Sequence, residues 1–467
     1  MNEADLMSRA DQLAADYARS ASIRPPYPSS EAIASLAAFD EPFPEIGRTG
    51  IETLELLDRV GSPATAVTTG PRYFGYVVGG VLPAAAAAER MVIAWDQRAS
   101  TFASSPVAAA IERVAARWIV EILDLPPDSA VGFGTSATSC TIACLSAARR
   151  SLLERQGWDW DQDGATGAPP IRVVASATIH VAVSKALRIL GFGLRHVIPA
   201  PVDAFGQVDP ARLPALDPGT ILCLQAGEVN GGGFDPFSQI LPRARQSGAW
   251  THIDGAFGLW ARASSSRDLC RGIELADSWT ADGHKWLNTP YDGAFAICRD
   301  AAALERAMSS DAPYAPSEPD AQQNLTLEFS RRARGIAIWA ALRSLGRTGL
   351  RDMIDRNISQ ARALGEDLAA MGYELPVPVR LNQILVRTSD DQRTRLICEH
   401  MQASGEAWFG MSRWDGRPAF RISISSHRTG PDHMARLREA LGEALQAIRA
   451  PGAERRHPGR PSRALRR

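Results

Sequence analysis

The chain has 467 residues, 45% of them apolar, which is enough to bury a large core and more than one packed unit. Its 51 Lys+Arg and 52 Asp+Glu leave a formal charge of −1, without the basic surplus of a nucleic-acid binder or of a strongly membrane-attracted surface. No run of about 18 apolar residues occurs and the N-terminus MNEADLMSRADQ carries acids, so a soluble, cytoplasmic protein is expected.

Residues 1–60 read as helix, a Pro-rich crossing (RPPYPSS, EPFPEIG) and a further helix, an arrangement suited to wrapping a partner subunit. PRYFGYVVGG (71–80) presents rings and then bare backbone. From 105 to about 300, helical and strand patterns alternate. PVAAAIERVAARWIVEIL and TSCTIACLSAARRSLLERQ have the i, i+3, i+4 spacing of amphipathic helices. IRVVAS, HVIPA, TILCLQA, WTHIDGAF, DSWTADG and GAFAICR are short apolar runs bounded by turn residues, as buried strands of a mostly parallel sheet would be. The alternation predicts an α/β fold with helices on both sheet faces.

Residues 300–330 are rich in Pro, Ser, Asp and Gln and read as a loop. A long helical stretch follows from Arg334, broken near Gly346 and Gly349. PVRLNQILVRTS, a helix over 391–404, WDGRPAFRISISS and a last helix near 431–449 predict a smaller α+β domain. The tail 451–467 holds six Arg and one Glu with almost no apolar residue, and reads as disordered. The expected organisation is an N-terminal segment (1–85) packing on a surface or a partner subunit, a large ligand-binding domain (86–350), a small C-terminal domain (351–450) and the basic tail (451–467). The six cysteines make no CxxC pair and lie mostly in apolar runs, which suits buried free thiols in a reducing compartment and no metal site.

In an open α/β sheet, ligands gather beyond the carboxyl ends of the strands. After VGF comes GTSATSCTIACL, where Ser136, Ala137, Thr138 and Ser139 open a helix. Taken alone this is ordinary capping; it is also a place for a phosphate. His180 follows IRVVASATI, and Asn230 with three glycines follows TILCLQAGEV. Asp254 ends WTHI, where a carboxylate is costly unless paired, and Gly255 and Ala256 leave a flat surface beside it. Lys285 follows DSWTADGH. Alone, it would read as a snorkelling surface lysine. Together these junctions describe a phosphate cup, a flat slot, a buried acid and an amine, the set that pyridoxal phosphate (PLP) requires: lysine forms the Schiff base, and aspartate keeps the ring nitrogen protonated so that the ring is an electron sink.

HIDGAFG, then DSWTADGHKWLNTPYDGAF, then SRRARGIAIWAALRSLG resemble the group II PLP-dependent amino-acid decarboxylases, over about residues 40 to 445. The resemblance implies the fold-type-I PLP architecture, with a mostly parallel seven-stranded sheet in the large domain and a smaller α+β domain. It also implies a homodimer with the active site at the interface. Position by position, Lys285 looks like the Schiff-base lysine, Asp254 like the partner of the ring nitrogen, and His180 like the imidazole stacked on the ring. Ala256 would pack on the other ring face, and Ala137 and Thr138 match the phosphate cup. Asn230 matches a polar residue near the ring hydroxyl, and His284 points toward phosphate or substrate. Arg421 matches an arginine near the C-terminal strand, a candidate contact for the substrate carboxylate. The implied reaction is decarboxylation of an L-amino acid to its amine through a Lys285 Schiff base and a quinonoid.

Two departures bear on the reaction. The family's proton-donating tyrosine lies in a loop that here spans 309–328, whose only tyrosine, Tyr314, matches an upstream position. This leaves aldehyde synthesis, Cα–Cβ cleavage or transamination as the alternative chemistry. The substrate wall also differs: Tyr76 and Val77 are followed by Val78, Gly79 and Gly80. Tyr76, Val77, Phe102 and Arg421 are the candidate substrate contacts, with Trp95, Asp96 and Phe102 reaching in from the partner.

Overall fold

The computed structural model describes residues 2–309, 318 and 321–448. The basic tail (451–467) and Tyr314 lie outside the described residues. Ten strands are present among them: β1 (Ala130–Gly134), β2 (Arg172–Ser176), β3 (Val197–Ala200), β4 (Thr220–Gln225), β5 (Trp250–Asp254), β6 (Ser278–Asp282), β7 (Ala294–Cys298), β8 (Gln383–Val386), β9 (Gly410–Trp414) and β10 (Arg417–Ser423). The α-helices begin with α1 (Glu3–Ser20), α2 (Ser30–Ser35), α3 (Gly50–Leu56), α4 (Pro83–Trp95), α5 (Pro106–Ile122) and α6 (Ala137–Glu154). They continue with α7 (Trp160–Asp163), α8 (Val181–Ile189), α9 (Phe237–Ser247), α10 (Ala301–Met308), α11 (Arg334–Met371), α12 (Asp391–Ser404) and α13 (Pro431–Ala447).

The large sheet has seven strands in the order β1-β7-β6-β5-β4-β2-β3. Only β7 runs antiparallel to its neighbours; the other pairs are parallel. β1 therefore points the same way as β6, and the carboxyl ends of β1, β2, β4, β5 and β6 share one edge. The apolar runs segregate with period two, as the pleat requires. Leu222 and Leu224 of β4 join Ile253, Trp279, Phe295 and the inner faces of α5, α9 and α11 on one side. Ile221 and Cys223 join Ala296, Cys298 and the buried faces of α6, α8 and α10 on the other. Both faces are covered, which explains why the strands read as continuous apolar runs rather than alternating ones. A three-stranded antiparallel sheet, β8-β10-β9, carries a second core with α12, α13 and the C-terminal part of α11.

The 300–330 stretch departs from its reading as a loop. Its first residues, AAALERAM, form α10, capped by the Asp300 carboxylate accepting the Ala303 N–H at 3.2 Å. Ala, Leu, Glu and Arg are strong helix formers; the Pro-rich residues after them had coloured the whole segment. The expected break in α11 occurs at Gly346, where φ is 60°, while Gly349 stays helical. All six cysteines are buried and free. No helix among the described residues is long and apolar enough to cross a membrane.

Candidate active site

The site is built where the parallel strands end. Asp282 closes β6, and the turn Gly283-His284-Lys285 follows, pinned by the Gly283 N–H to the Gly293 carbonyl at 2.9 Å. Lys285 Nζ lies 3.2 Å from Asp282 Oδ2 and 6.0 Å from the Phe257 ring centre. Its side chain is 19% exposed, so the amine is sheltered yet reachable. Gly79 explains how the wall meets this turn: a Cβ there would lie 2.1 Å from the Lys285 carbonyl oxygen. Only a glycine permits that approach.

Asp254 ends β5 and is 6% exposed. Its Oδ1 accepts the Ala256 N–H at 3.1 Å, and no partner for Oδ2 exists among the described residues. The Ala256 carbonyl accepts the Asp282 N–H at 2.8 Å, tying the ends of β5 and β6 together. His180 caps α8, its Nδ1 accepting the Ala182 N–H at 3.2 Å. That bond leaves the proton of the neutral ring on Nε2. Burial holds the His180 pKa below the usual histidine range; the charges of Lys285 and Arg421 add to this, and Asp254 and Asp282 oppose it. His180, Lys285, Asp254, Asp282 and Arg421 thus form one electrostatic neighbourhood.

The first turn of a helix leaves N–H groups without intrahelical acceptors. Ala137 and Thr138 open α6, with Ser136 and Ser139 forming a reciprocal capping box. The Ala137 N–H donates to Asp282 Oδ1 at 2.8 Å, across 145 residues of sequence. Register brings them together: Gly134 of β1 and Asp282 of β6 both stand opposite Ala294 of β7. His284 Nδ1 accepts the Gly293 N–H at 3.3 Å, and its Nε2 faces Asp282 Oδ2 at 3.7 Å. The His284 ring stacks on Tyr291 at 4.2 Å. Burial lowers its pKa, against the raising effect of Asp282.

The remaining candidates are placed less simply. Both ends of the Asn230 amide are taken: Nδ2 donates to Glu228 Oε1 at 2.9 Å, and Oδ1 accepts from Ser412 of β9. Arg421 of β10 donates to the Val229 carbonyl at 2.6 Å, so the small sheet clamps the 228–231 turn from two sides. Tyr76 is largely exposed and tilts over Trp408 at 5.4 Å, whereas Val77 is buried in the main core. Both have left-handed φ, 53° and 61°, a strained conformation for the bulky Tyr76 and the β-branched Val77. Phe102 is half-exposed beside a cavity of about 270 Å³ lined by Glu112, Arg113 and Gln322. Lys285, His180 and Asp254 do not line that cavity.

Two acids escaped the sequence reading. Asp282 ends a buried strand just as Asp254 does, and the same cost of a buried carboxylate would have flagged it. Glu228 is buried beneath the glycine-rich turn, accepting the N–H groups of Asn230 and Gly231 at 2.9 and 2.8 Å. Burial raises its pKa.

An amine, a buried carboxylate with one uncommitted oxygen, an imidazole and a helix start rich in hydroxyls suit a planar phosphorylated aldehyde with a basic ring nitrogen. Comparison with known proteins agrees. The chain is 28% identical over 433 residues to an L-2,4-diaminobutyrate decarboxylase of Rhizobium meliloti (strain 1021), covering 87% of this chain and 84% of that one. It superposes on Oryza sativa TDC solved with PLP and tryptamine at a TM-score of 0.87 and 21% identity, covering 96% of this chain and 99% of that one. On the Rhodiola rosea 4-hydroxyphenylacetaldehyde synthase the TM-score is 0.84 at 20% identity, over 96% and 100% of the two chains. The fold is that of the fold-type-I PLP enzymes. The family described as the pyridoxal-dependent decarboxylase conserved domain matches residues 57–386, and the chain belongs to that family as a PLP-dependent carboxy-lyase.

Proposed function

We propose that the protein decarboxylates an L-amino acid to its amine and CO2, with Lys285 as the covalent anchor of PLP. The observation that carries this reading is the position of Lys285 Nζ at the carboxyl edge of the sheet, 3.2 Å from Asp282, whose other oxygen holds the first N–H of α6. When bound, PLP supplies an electron sink for the pair left at Cα as the carboxylate departs. The chain's own residues do the rest. Asp254 Oδ2 accepts a proton-bearing ring nitrogen and keeps it charged. The neutral His180 imidazole covers one ring face and Ala256 the other. Thr138 and the N-terminus of α6 take the phosphate, and His284 lies at that end. Asn230 steadies the turn beside the ring hydroxyl. Arg421 is the cation for the substrate carboxylate, and orientation by these groups directs which Cα bond breaks.

The same reading divides the chain into an N-terminal segment (1–85), a large domain (86–350) and a small domain (351–450). It also makes the protein a homodimer. Ile23, Phe43, Ile46, Ile93 and Phe102 are exposed apolar residues suited to a second copy, which would bring Phe102 into the partner's site beside Tyr76 and Val77. Free buried thiols fit a cytoplasmic location.

A panel containing L-2,4-diaminobutyrate, L-tryptophan and L-tyrosine should give amine and CO2 in equal amounts. Lys285→Ala should abolish both while its circular dichroism matches the wild type. Borohydride should fix PLP to the wild type at Lys285, and the site is easily read because the chain has only one other lysine, Lys185. An adduct at Lys185 alone would refute the assignment. The absence of any loop tyrosine other than Tyr314 favours one second reading, aldehyde synthesis. Stoichiometric oxygen uptake with aldehyde in place of amine would establish it.

A further inference from the structure

The N-terminus of α6 is assigned above to a phosphate, yet a carboxylate already stands there. Asp282 is 2% exposed, and each of its side-chain contacts belongs to the site. Oδ1 takes the Ala137 N–H at 2.8 Å; Oδ2 lies 3.2 Å from Lys285 Nζ and 3.7 Å from His284 Nε2. Ala137 is the first residue of an 18-residue helix, so Oδ1 sits where the helix's partial positive charge is concentrated. One side chain therefore neutralises the helix end and holds the amine.

We propose that Asp282 is a resident anion that competes with the cofactor's phosphate for the N-terminus of α6, and that its displacement frees Lys285. The inference rests on the reading of α6 as the phosphate end. A phosphate ester brings a charge of about −1.5 to −2 at neutral pH, and two anions crowded onto one amide N–H repel each other. The fixed cation in contact with Asp282 is Lys285 itself, which is consumed as the anchor. A second partner for Asp282 is already in place. His284 Nδ1 accepts the Gly293 N–H, so the neutral ring carries its proton on Nε2, which faces Asp282 Oδ2. Asp282 can thus exchange Ala137 and Lys285 for His284 without leaving the site. It is a positioning residue: it acts through the amine and the helix end.

The test uses the full-length cofactor-free protein, its Asp282→Asn variant, and Asp282→Ser, which keeps an uncharged acceptor for Ala137 should the asparagine fail to fold. Each is titrated with PLP, with pyridoxal, which lacks the phosphate, and with inorganic phosphate, by tryptophan fluorescence and equilibrium dialysis. Removing the resident charge should tighten PLP and inorganic phosphate by about tenfold, and pyridoxal clearly less. Acylation of Lys285 by a neutral reagent should also quicken relative to the exposed Lys185. Unchanged or weaker phosphate and PLP binding in both variants, with wild-type PLP still displaced by inorganic phosphate, would overturn the role of Asp282 alone. If inorganic phosphate fails to compete with PLP in the wild type, the phosphate assignment falls and this inference with it.

Discussion

Two buried ion pairs in this molecule look alike on paper and behave differently. Glu112 and Arg331 are 1% and 0% exposed at their side chains and meet through two bonds, of 2.7 and 3.0 Å. Glu112 also accepts the Gly335 N–H at 3.0 Å, and Arg331 donates to the carbonyls of Ala99 and Phe133. Asp282 and Lys285 have one contact of 3.2 Å, and Nζ has no second acceptor among the described residues. The first pair is bonded on every side except Arg331 Nε, and staples α5 to the start of α11. The second is left open, and openness is what a reactive amine requires. The number of hydrogen bonds around the pair, more than burial, separates a staple from a site.

The sharpest way to break this contrast is Glu112→Ala. Leaving Arg331 buried without its partner should cost about 3–5 kcal/mol, seen as a large fall in the thermal midpoint; a variant as stable as wild type would erase the distinction. Next in size, Asp254→Asn should lower amine formation by about a hundredfold or more with the thermal midpoint nearly unchanged, because this carboxylate has one bond within the chain and an open oxygen. Loss of stability equal to that of Glu112→Ala would place Asp254 with the staples. The last effect, absent at neutral pH, concerns His252, fully buried in β5, with Nδ1 on the Ser278 hydroxyl and Nε2 unpartnered. Burial takes its pKa from 6.5 down to about 3. Between those values the unfolded chain binds a proton that the native one refuses. The stability this provides is full above pH 6.5 and is lost as pH falls toward 3, at up to about 1.4 kcal/mol per pH unit. His252→Gln should flatten that acid limb in denaturant unfolding, and an unaltered limb would show that its open nitrogen is a harmless core feature.

The strands were legible because each is a short apolar run between turn residues, and a sheet covered on both faces needs such runs. Asp254 and Lys285 were legible because ionisable groups at buried strand ends call for a chemical reason. Asp282 carries the same signal at the end of β6, but its place in the site depends on the Ala137 N–H of a helix 145 residues away in sequence. Glu228 was hidden by the glycines after it, whose backbone freedom drew the reading. The helix α10 was obscured by the prolines that follow it. One further signal lay unused: of 51 Lys+Arg, only Lys185 and Lys285 are lysines. In a chain that otherwise takes its cations as arginine, a group that is not deprotonated in proteins, a sheltered lysine points to amine chemistry.

The contact at Gly79 has a consequence for anyone re-tooling the enzyme. Its backbone rests directly against the Lys285 carbonyl and the Asn288 amide, with no room for even a methyl group. Wall and anchor therefore share one seam, and a change of substrate range sought at position 79 would shift the nucleophile along with the pocket. The exposed Tyr76 ring, three residues earlier, tilts over Trp408 and can be varied while that seam stays put.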